Sequence, residues 1–317
     1  MKLHYAFLSA ALVLAACGGA SDTDIGGGTT GGDTGGGGGG TPGDVEVPVD
    51  VENDVCTGAF VCAGDLTDVT FDDNGTPGVP GDDTLTLTGL PFDDDPLGAV
   101  FTYSGDDTAN GFPIYVNNTP SIFNQYLAII RDTTGGEMTL GVVTIEGYQD
   151  FGYRGAWFEL NDVTTSIPSL ELVEYTGEYT GFMVFDGSGN QYVTTGDVSM
   201  EVDFTDSVLK GFIENRTIQT LAGTDVPIPN PDITGIPTLV LNDTAITDGT
   251  FSGTVNSYED EIAFETGSYQ GWFGGTGATS VGGIIEAQSE NYDDGVGSLD
   301  TGVFTADCAG SVTGCAP

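Results

Sequence analysis

Acid–base and nucleophilic chemistry usually begins with a histidine, and this chain has one, His4, in its first segment. Its absence from residues 5–317 excludes Ser-His-Asp and Cys-His catalysis, histidine-ligated zinc and histidine-ligated haem there. Carboxylates are the abundant reactive group. Asp72-Asp73-Asn74-Gly75, Asp82-Asp83, Asp93-Asp94-Asp95 and Asp186-Gly187-Ser188-Gly189-Asn190 offer the oxygen ligands that calcium takes. None has the full spacing of a calcium loop, and such runs more often make turns. Two carboxylates at the right separation hydrolyse glycosides, but among 48 acidic residues a close pair arises by chance. No phosphate-binding or dinucleotide fingerprint is present: GGTGATSVGG at 274–283 ends a strand pattern and opens no helix. The expectation is therefore a protein that is not an enzyme and has no cofactor and no dedicated metal site.

Charge narrows the partners. All 48 Asp and Glu follow residue 17, where only Arg131, Arg154, Lys210 and Arg216 are basic. Such a surface repels phosphate backbones, which excludes nucleic acid as a partner, and it suits a protein solvated in salty water.

The N-terminus reads as an address. Met1-Lys2 is a short positive region, Ala6 to Leu14 is apolar but too short to span a bilayer, and Leu14-Ala15-Ala16-Cys17 ends in cysteine. This resembles a bacterial lipobox. The resemblance implies cleavage before Cys17, acylation of Cys17 and anchoring in membrane lipid at ~0.8 kcal/mol per buried methylene. Gly18 in place of an aspartate favours the outer membrane. Residues 1–16 are thus read as a signal peptide and 17–44 as a Gly-rich flexible tether, since GGASDTDIGGGTTGGDTGGGGGGTPGD is too poor in apolar groups to offset its ordering entropy. The remaining four cysteines, Cys56, Cys62, Cys308 and Cys315, suit two disulfides in an exported protein. Short loops with glycines favour Cys56 with Cys62 and Cys308 with Cys315; the alternative ties the start of the folded region to its end.

The rest of the chain reads as all-β. Runs rich in Val, Ile, Thr, Tyr and Phe alternate with Gly, Asp, Asn and Pro every 8 to 15 residues. Seven strands are expected in a β-rich N-terminal domain at 45–170: 60–71, 84–90, 100–103, 114–116, 126–131, 138–147 and 153–160. Eight follow at 171–317: 175–185, 191–204, 207–218, 238–247, 249–256, 261–273, 279–288 and 296–306. Eight is the number that closes a small antiparallel barrel. Val198, Met200, Val202 and Phe204 share one face, and Ser199, Glu201 and Asp203 the other. One pattern recurs: Tyr179-x-Gly181-x-Met183, Leu209-x-Gly211-x-Ile213, Phe251-x-Gly253-x-Val255 and Tyr269-x-Gly271-x-Phe273. Glycine inside a strand costs stability, so its repetition between large residues points to close approach within a closed interior. Trp272 lies out of phase with the inward set and Trp157 alternates similarly, so both are candidate partner anchors; burial beneath a neighbouring domain or loop is the competing reading.

At these residues a family resemblance enters. Gly267-Ser-Tyr269-Gln-Gly271-Trp-Phe273-Gly274, followed by Ala278 and Gly282-Gly283, looks like the signature near the end of the barrel domain of transferrin-binding protein B-like surface lipoproteins. Tyr179-Thr-Gly181, the run from Gly196 to Phe204, Gly211-Phe-Ile213 and Asn215-Arg216 resemble earlier strands of that barrel. The likeness covers about 130 residues; Leu90-Pro91-Phe92-Asp93 is its best fragment further upstream. It implies a C-terminal eight-stranded antiparallel β-barrel preceded by a smaller, handle-like β-rich domain, carried on the cell surface; the family's transferrin receptors have two such lobes, and this chain has room for one. Ser280 stands where the family often has an acidic residue, and no ligand residue carries over. The expected function is an outer-membrane lipoprotein that binds a solute or protein ligand without catalysis, with a structural envelope lipoprotein as the alternative.

Overall fold

The computed structural model describes residues 60–64, 66–76, 78–90, 96–117, 126–145, 151–161, 167–168, 172–188, 190–226, 236–259, 262–293 and 296–309. Residues 1–44, read above as signal peptide and tether and including Cys17, lie outside them, as do Cys56, Cys315 and Asp93-Asp94-Asp95. Strands dominate, with one short turn of helix at Pro96–Ala99 and a three-residue 3-10 turn at Pro80–Asp82.

The first eight strands are β1 (Phe60–Gly64), β2 (Asp68–Asp72), β3 (Thr84–Thr88), β4 (Val100–Asp107), β5 (Pro113–Asn117), β6 (Tyr126–Asp132), β7 (Met138–Ile145) and β8 (Arg154–Leu160). They form one antiparallel sheet in the order β1-β8-β7-β6-β5-β4-β3-β2. The expected single strand 60–71 is in fact two, β1 and β2, and they sit on opposite edges of that sheet. The intervening Gly64 to Asp68 step spans at most about 14 Å, whereas eight flat strands would separate the edges by about 34 Å. The sheet must therefore roll until its edges approach, and β1 does meet β2 without a ladder between them. Leu66, Val69, Leu85, Leu87, Phe101, Tyr115, Tyr126 and Trp157 fill the inside of the roll.

The second eight are β9 (Val173–Phe185), β10 (Gln191–Asp203), β11 (Val208–Gln219), β12 (Leu239–Thr247), β13 (Thr250–Glu259), β14 (Ile262–Gly274), β15 (Ser280–Asp293) and β16 (Val296–Cys308). They close into an antiparallel barrel, with β16 paired to β9 from Ser298↔Phe185 to Cys308↔Tyr175. Alternation holds as the sequence predicts: Val198, Met200, Val202 and Phe204 are buried in the interior, while Ser199, Glu201 and Asp203 are not.

The recurring glycines have a physical reason. A methyl group at Gly253 would lie 2.7 Å from the Tyr269 ring, one at Gly211 would lie 2.8 Å from Met200 Cγ, and one at Gly271 would overlap the Phe251 ring. Each of these three glycines is the seat of a large side chain from the neighbouring strand, and Gly181 is the seat of the Tyr179 hydroxyl of its own strand, so a narrow barrel holds its large side chains without a void. Gly141 in the first sheet seats Trp157 in the same way.

The outer face of the first sheet packs on the barrel. Phe112, Ile114, Ile129, Leu140, Val142 and Phe158 form one apolar layer with Phe182, Val193, Trp272, Ile284 and Val303. Ion pairs flank it: Arg131 with Glu178, and Arg154 Nε with Glu286 at 3.1 Å.

Candidate binding end of the barrel

The two ends of the barrel interior differ. Toward the end where β9 begins and β16 finishes, the filling is apolar: Val173, Tyr175, Phe204, Phe273, Val281 and Phe304. Toward the other end, where the 185–191 and 293–296 hairpins and the 219–239 connection emerge, the interior is ionic.

Arg216 reaches this interior through a bulge. Register with β10 shifts between Thr195 and Asp197, and Asn215 adopts φ 51°, a left-handed conformation that asparagine tolerates better than most residues. The extra residue reverses the alternation of β11, so that Ile213 and Arg216 both point inward, and Gly196 opposite leaves room for the arginine stem. Inside, Arg216 Nη1 donates to Glu265 Oε2 at 2.6 Å and to the Pro237 carbonyl at 2.9 Å. Its Nη2 donates to Glu265 Oε1 at 3.0 Å and to Asp300 Oδ2 at 2.8 Å. Ser257 donates to Glu265 Oε2 and Thr194 to Asp300 Oδ1, both at 2.7 Å. Burial opposes the charge on Arg216, but Glu265 outweighs it and, with Asp300, holds its proton more tightly than usual. Burial pushes the Asp300 carboxyl above the ordinary carboxylate range, although Arg216 pulls the other way.

An aromatic group covers this site. Phe185 lies 5.5 Å from Tyr192 and 5.1 Å from Tyr292, and Phe264 lies 5.3 Å from Tyr292, centre to centre. Met183, Ile218 and Ile236 complete the plug, with Val226 packed against it. Tyr292 is fully buried, whereas Phe185, Tyr192 and Phe264 keep some exposure. The end thus presents half-buried aromatic rings and hairpin loops to solvent while its ions stay sealed below.

The sequence-predicted site residues are placed as follows. Trp272 points out of the barrel, as its phase predicts, but the first sheet covers it: it is 8% exposed and its ring lies 4.0 Å from that of Phe158. Trp157 is fully buried inside the rolled sheet. Neither ring is offered to a partner, and the partner-anchor reading is corrected to packing. Cys308, at the end of β16, is disulfide-bonded. Cys62 stands in β1 opposite Trp157. Of the acidic runs, Asp72-Asp73 and Asp82 serve turns: Asp72 Oδ1 accepts from Asn74 N and Asp73 Oδ1 from Gly75 N, both at 2.9 Å, and Asp82 accepts from the Thr76 hydroxyl, while Asp83 is buried and accepts from the Tyr115 hydroxyl at 2.6 Å. Among the described residues no group of three or more His, Cys, Asp or Glu is placed to hold a metal ion. The residues that sequence reasoning missed are Arg216, Glu265 and Asp300.

These features define a class of architecture: an all-β chain in which a rolled eight-stranded sheet packs on a closed eight-stranded barrel with a sealed ionic end. No protein-family model matches the chain, and no curated protein matches it. Among solved structures it is similar to the vaccine antigen Transferrin Binding Protein B of Haemophilus parasuis Hp5, at 15% identity and a TM-score of 0.41, over 66% of this chain and 39% of that one. It is similar to isotype 1 Transferrin binding protein B from serogroup B Neisseria meningitidis, at 15% identity and a TM-score of 0.36, over 62% of this chain and 38% of that one. A third is a surface lipoprotein, at 15% identity and a TM-score of 0.35, over 56% of this chain and 79% of that one. This chain therefore spans well under half the length of the two transferrin binding proteins B. At such identities the likeness concerns the fold alone.

Proposed function

We propose that this chain is a non-enzymatic binding module, held by an acylated Cys17 in the bacterial outer membrane and exposed on the cell surface, where its loops receive a solute or protein ligand. The observation that carries the reading is the separation of scaffold from surface. The ionic groups inside the barrel are sealed in a structural network, and all four cations beyond residue 17 are tied to carboxylates. What the barrel offers to solvent at its ionic end is loops and half-buried aromatic rings on a rigid frame, the arrangement in which recognition is carried by loops. The acidic surface disfavours anionic ligands and favours cationic or neutral ones. Two of the similar solved structures are by name transferrin binding proteins B, and a ligand of that kind is one arm of the test. Disulfides pairing Cys56 with Cys62 and Cys308 with Cys315 belong to the same proposal, since they pin the two ends of the folded region.

Ligand capture by the purified chain from culture medium and from serum, followed by native mass spectrometry, tests the reading. A species bound at fixed stoichiometry, and lost when the 186–190 and 219–238 loops are replaced, is the expected result. Repeated capture of nothing from either source overturns it in favour of a structural envelope protein. Protease shaving of intact cells tests exposure separately: a chain protected from protease excludes the outward orientation.

A further inference from the structure

The sealed ionic group has unequal charge: one guanidinium, Arg216, faces two carboxylates, Glu265 and Asp300, and none of the three side chains has any exposure. The two carboxylates are held differently. Glu265 takes both arms of the arginine fork and the Ser257 hydroxyl, so three donors support its charge. Asp300 takes one bond from Arg216 and one contact with Thr194. Among the described residues the other three cations are paired elsewhere, Arg131 with Glu178, Arg154 with Glu286 and Lys210 with Glu201. The remaining titratable groups that face Asp300 are Tyr179 from β9 and Tyr292 from β15. Burial pushes both phenols further from ionisation, so they stay neutral and supply no compensating charge. A second, uncompensated carboxylate in a water-excluding interior is strongly unfavourable, and such a group takes up a proton instead.

We infer that Asp300 is a carboxylic acid at neutral pH and that the barrel closes around one stored proton. Oδ2 is occupied by Arg216, so the proton sits on Oδ1, and the 2.7 Å contact with Thr194 Oγ1 then runs from the acid to the hydroxyl. Gly181 keeps the space beside this proton clear: a methyl there would lie 2.9 Å from Oδ1 and 2.6 Å from the Tyr179 hydroxyl. The ligand of this site is a proton, and folding takes it up from solution. Since the folded-state value is raised above the unfolded one, the stabilisation is complete below the ordinary carboxylate range and is lost as pH rises through the folded value. The loop end of the barrel therefore loosens on the alkaline side.

Residue-resolved carbon NMR of the full chain tests this directly through the Asp300 side-chain carboxyl. A chemical shift characteristic of the protonated acid at pH 7, moving to the ionised position only at higher pH, is expected. The ionised shift at pH 7 overturns the inference and assigns the compensation to a bound cation. The second measurement compares wild type with Asp300→Asn, the neutral isostere of the acid, by urea midpoint across pH 5 to 9. The stability of wild type relative to the variant should fall as pH rises; a difference that is constant or rises across that range overturns the proposal. If the variant does not fold, the NMR measurement decides alone.

Discussion

The molecule contains two eight-stranded antiparallel sheets that solve the same edge problem differently. The barrel closes, with β16 laddered to β9 over eleven register pairs from Ser298 to Cys308, and no edge remains. The first sheet rolls until β1 and β2 meet but forms no ladder between them. Strand length separates the two outcomes. Barrel strands run 9 to 14 residues, while those of the first sheet run 5 to 8. A long strand accumulates more twist and tilt, which is what closure needs. The longer barrel also has an interior with two ends, one apolar and one holding a fully buried ion pair, whereas the roll buries Asp83 without a cation, its carboxylate accepting from the Tyr115 hydroxyl at 2.6 Å. Closure thus gives a sealed compartment that holds an ion pair with no exposure, and among the described residues the open roll holds none.

Breaking the ionic end should have the largest effect. Arg216→Met removes the only cation shared by Glu265 and Asp300, and severing such a buried network costs about 3–5 kcal/mol. Urea unfolding read by barrel hairpin amides in NMR should show the loss, with the β6 and β7 amides of the first sheet destabilised less. Equal losses in both regions would show that the two sheets unfold as one unit and that the comparison has no energetic content.

Cutting the seam between the sheets comes next. Trp272→Ala deletes the ring that packs on Phe158 at the centre of the shared apolar layer, and truncating a buried aromatic costs about 3 kcal/mol. Because that layer joins the barrel to the sheet, the variant should separate the unfolding of the two regions further than it is separated in the wild type. Fluorescence of the remaining Trp157 reports the sheet alone. A single transition with unchanged midpoint would mean that the flanking pairs Arg131–Glu178 and Arg154–Glu286, rather than the apolar layer, join the two bodies.

Most barrel elements were legible because alternation is strict there. Val198 to Phe204 and the glycine triplets gave the inward face, and hairpin turns marked the ends of strands to within a few residues. The split of 60–71 was not legible, since Phe60 to Gly64 and Asp68 to Asp72 carry the same strand-forming composition and only long-range pairing sends them to opposite edges. The ionic site was half legible. Glu265 is in phase with Tyr269, and Asp300 with Phe304, so alternation alone places both inside; their charge argued against it. Arg216 is out of phase with Ile213, and only the bulge at Asn215 turns it inward. A left-handed-tolerant asparagine before a rare arginine was the signal available. Trp272 was assigned the correct face, but what covers that face belongs to a part of the chain more than a hundred residues away.

The smallest effect sharpens the contrast between the two kinds of cation. Lys210 pairs with Glu201 at 2.8 Å, a distance close to those around Arg216, but both side chains are nearly half exposed, at 49% and 44%. Water solvates each partner whether or not the pair forms, so the bond replaces hydration instead of an unpaired buried charge. Lys210→Ala should therefore leave the urea midpoint within experimental error at physiological salt. The surrounding surface is strongly acidic, and removing one of four cations from it raises self-repulsion, a long-range term that salt screens within about 8 Å at physiological ionic strength. At millimolar salt the variant should accordingly unfold earlier than wild type, and the gap should close as salt is added. A gap that persists in high salt would show that Lys210 is held by local packing rather than by the field of the surface, and would place it with Arg216 after all.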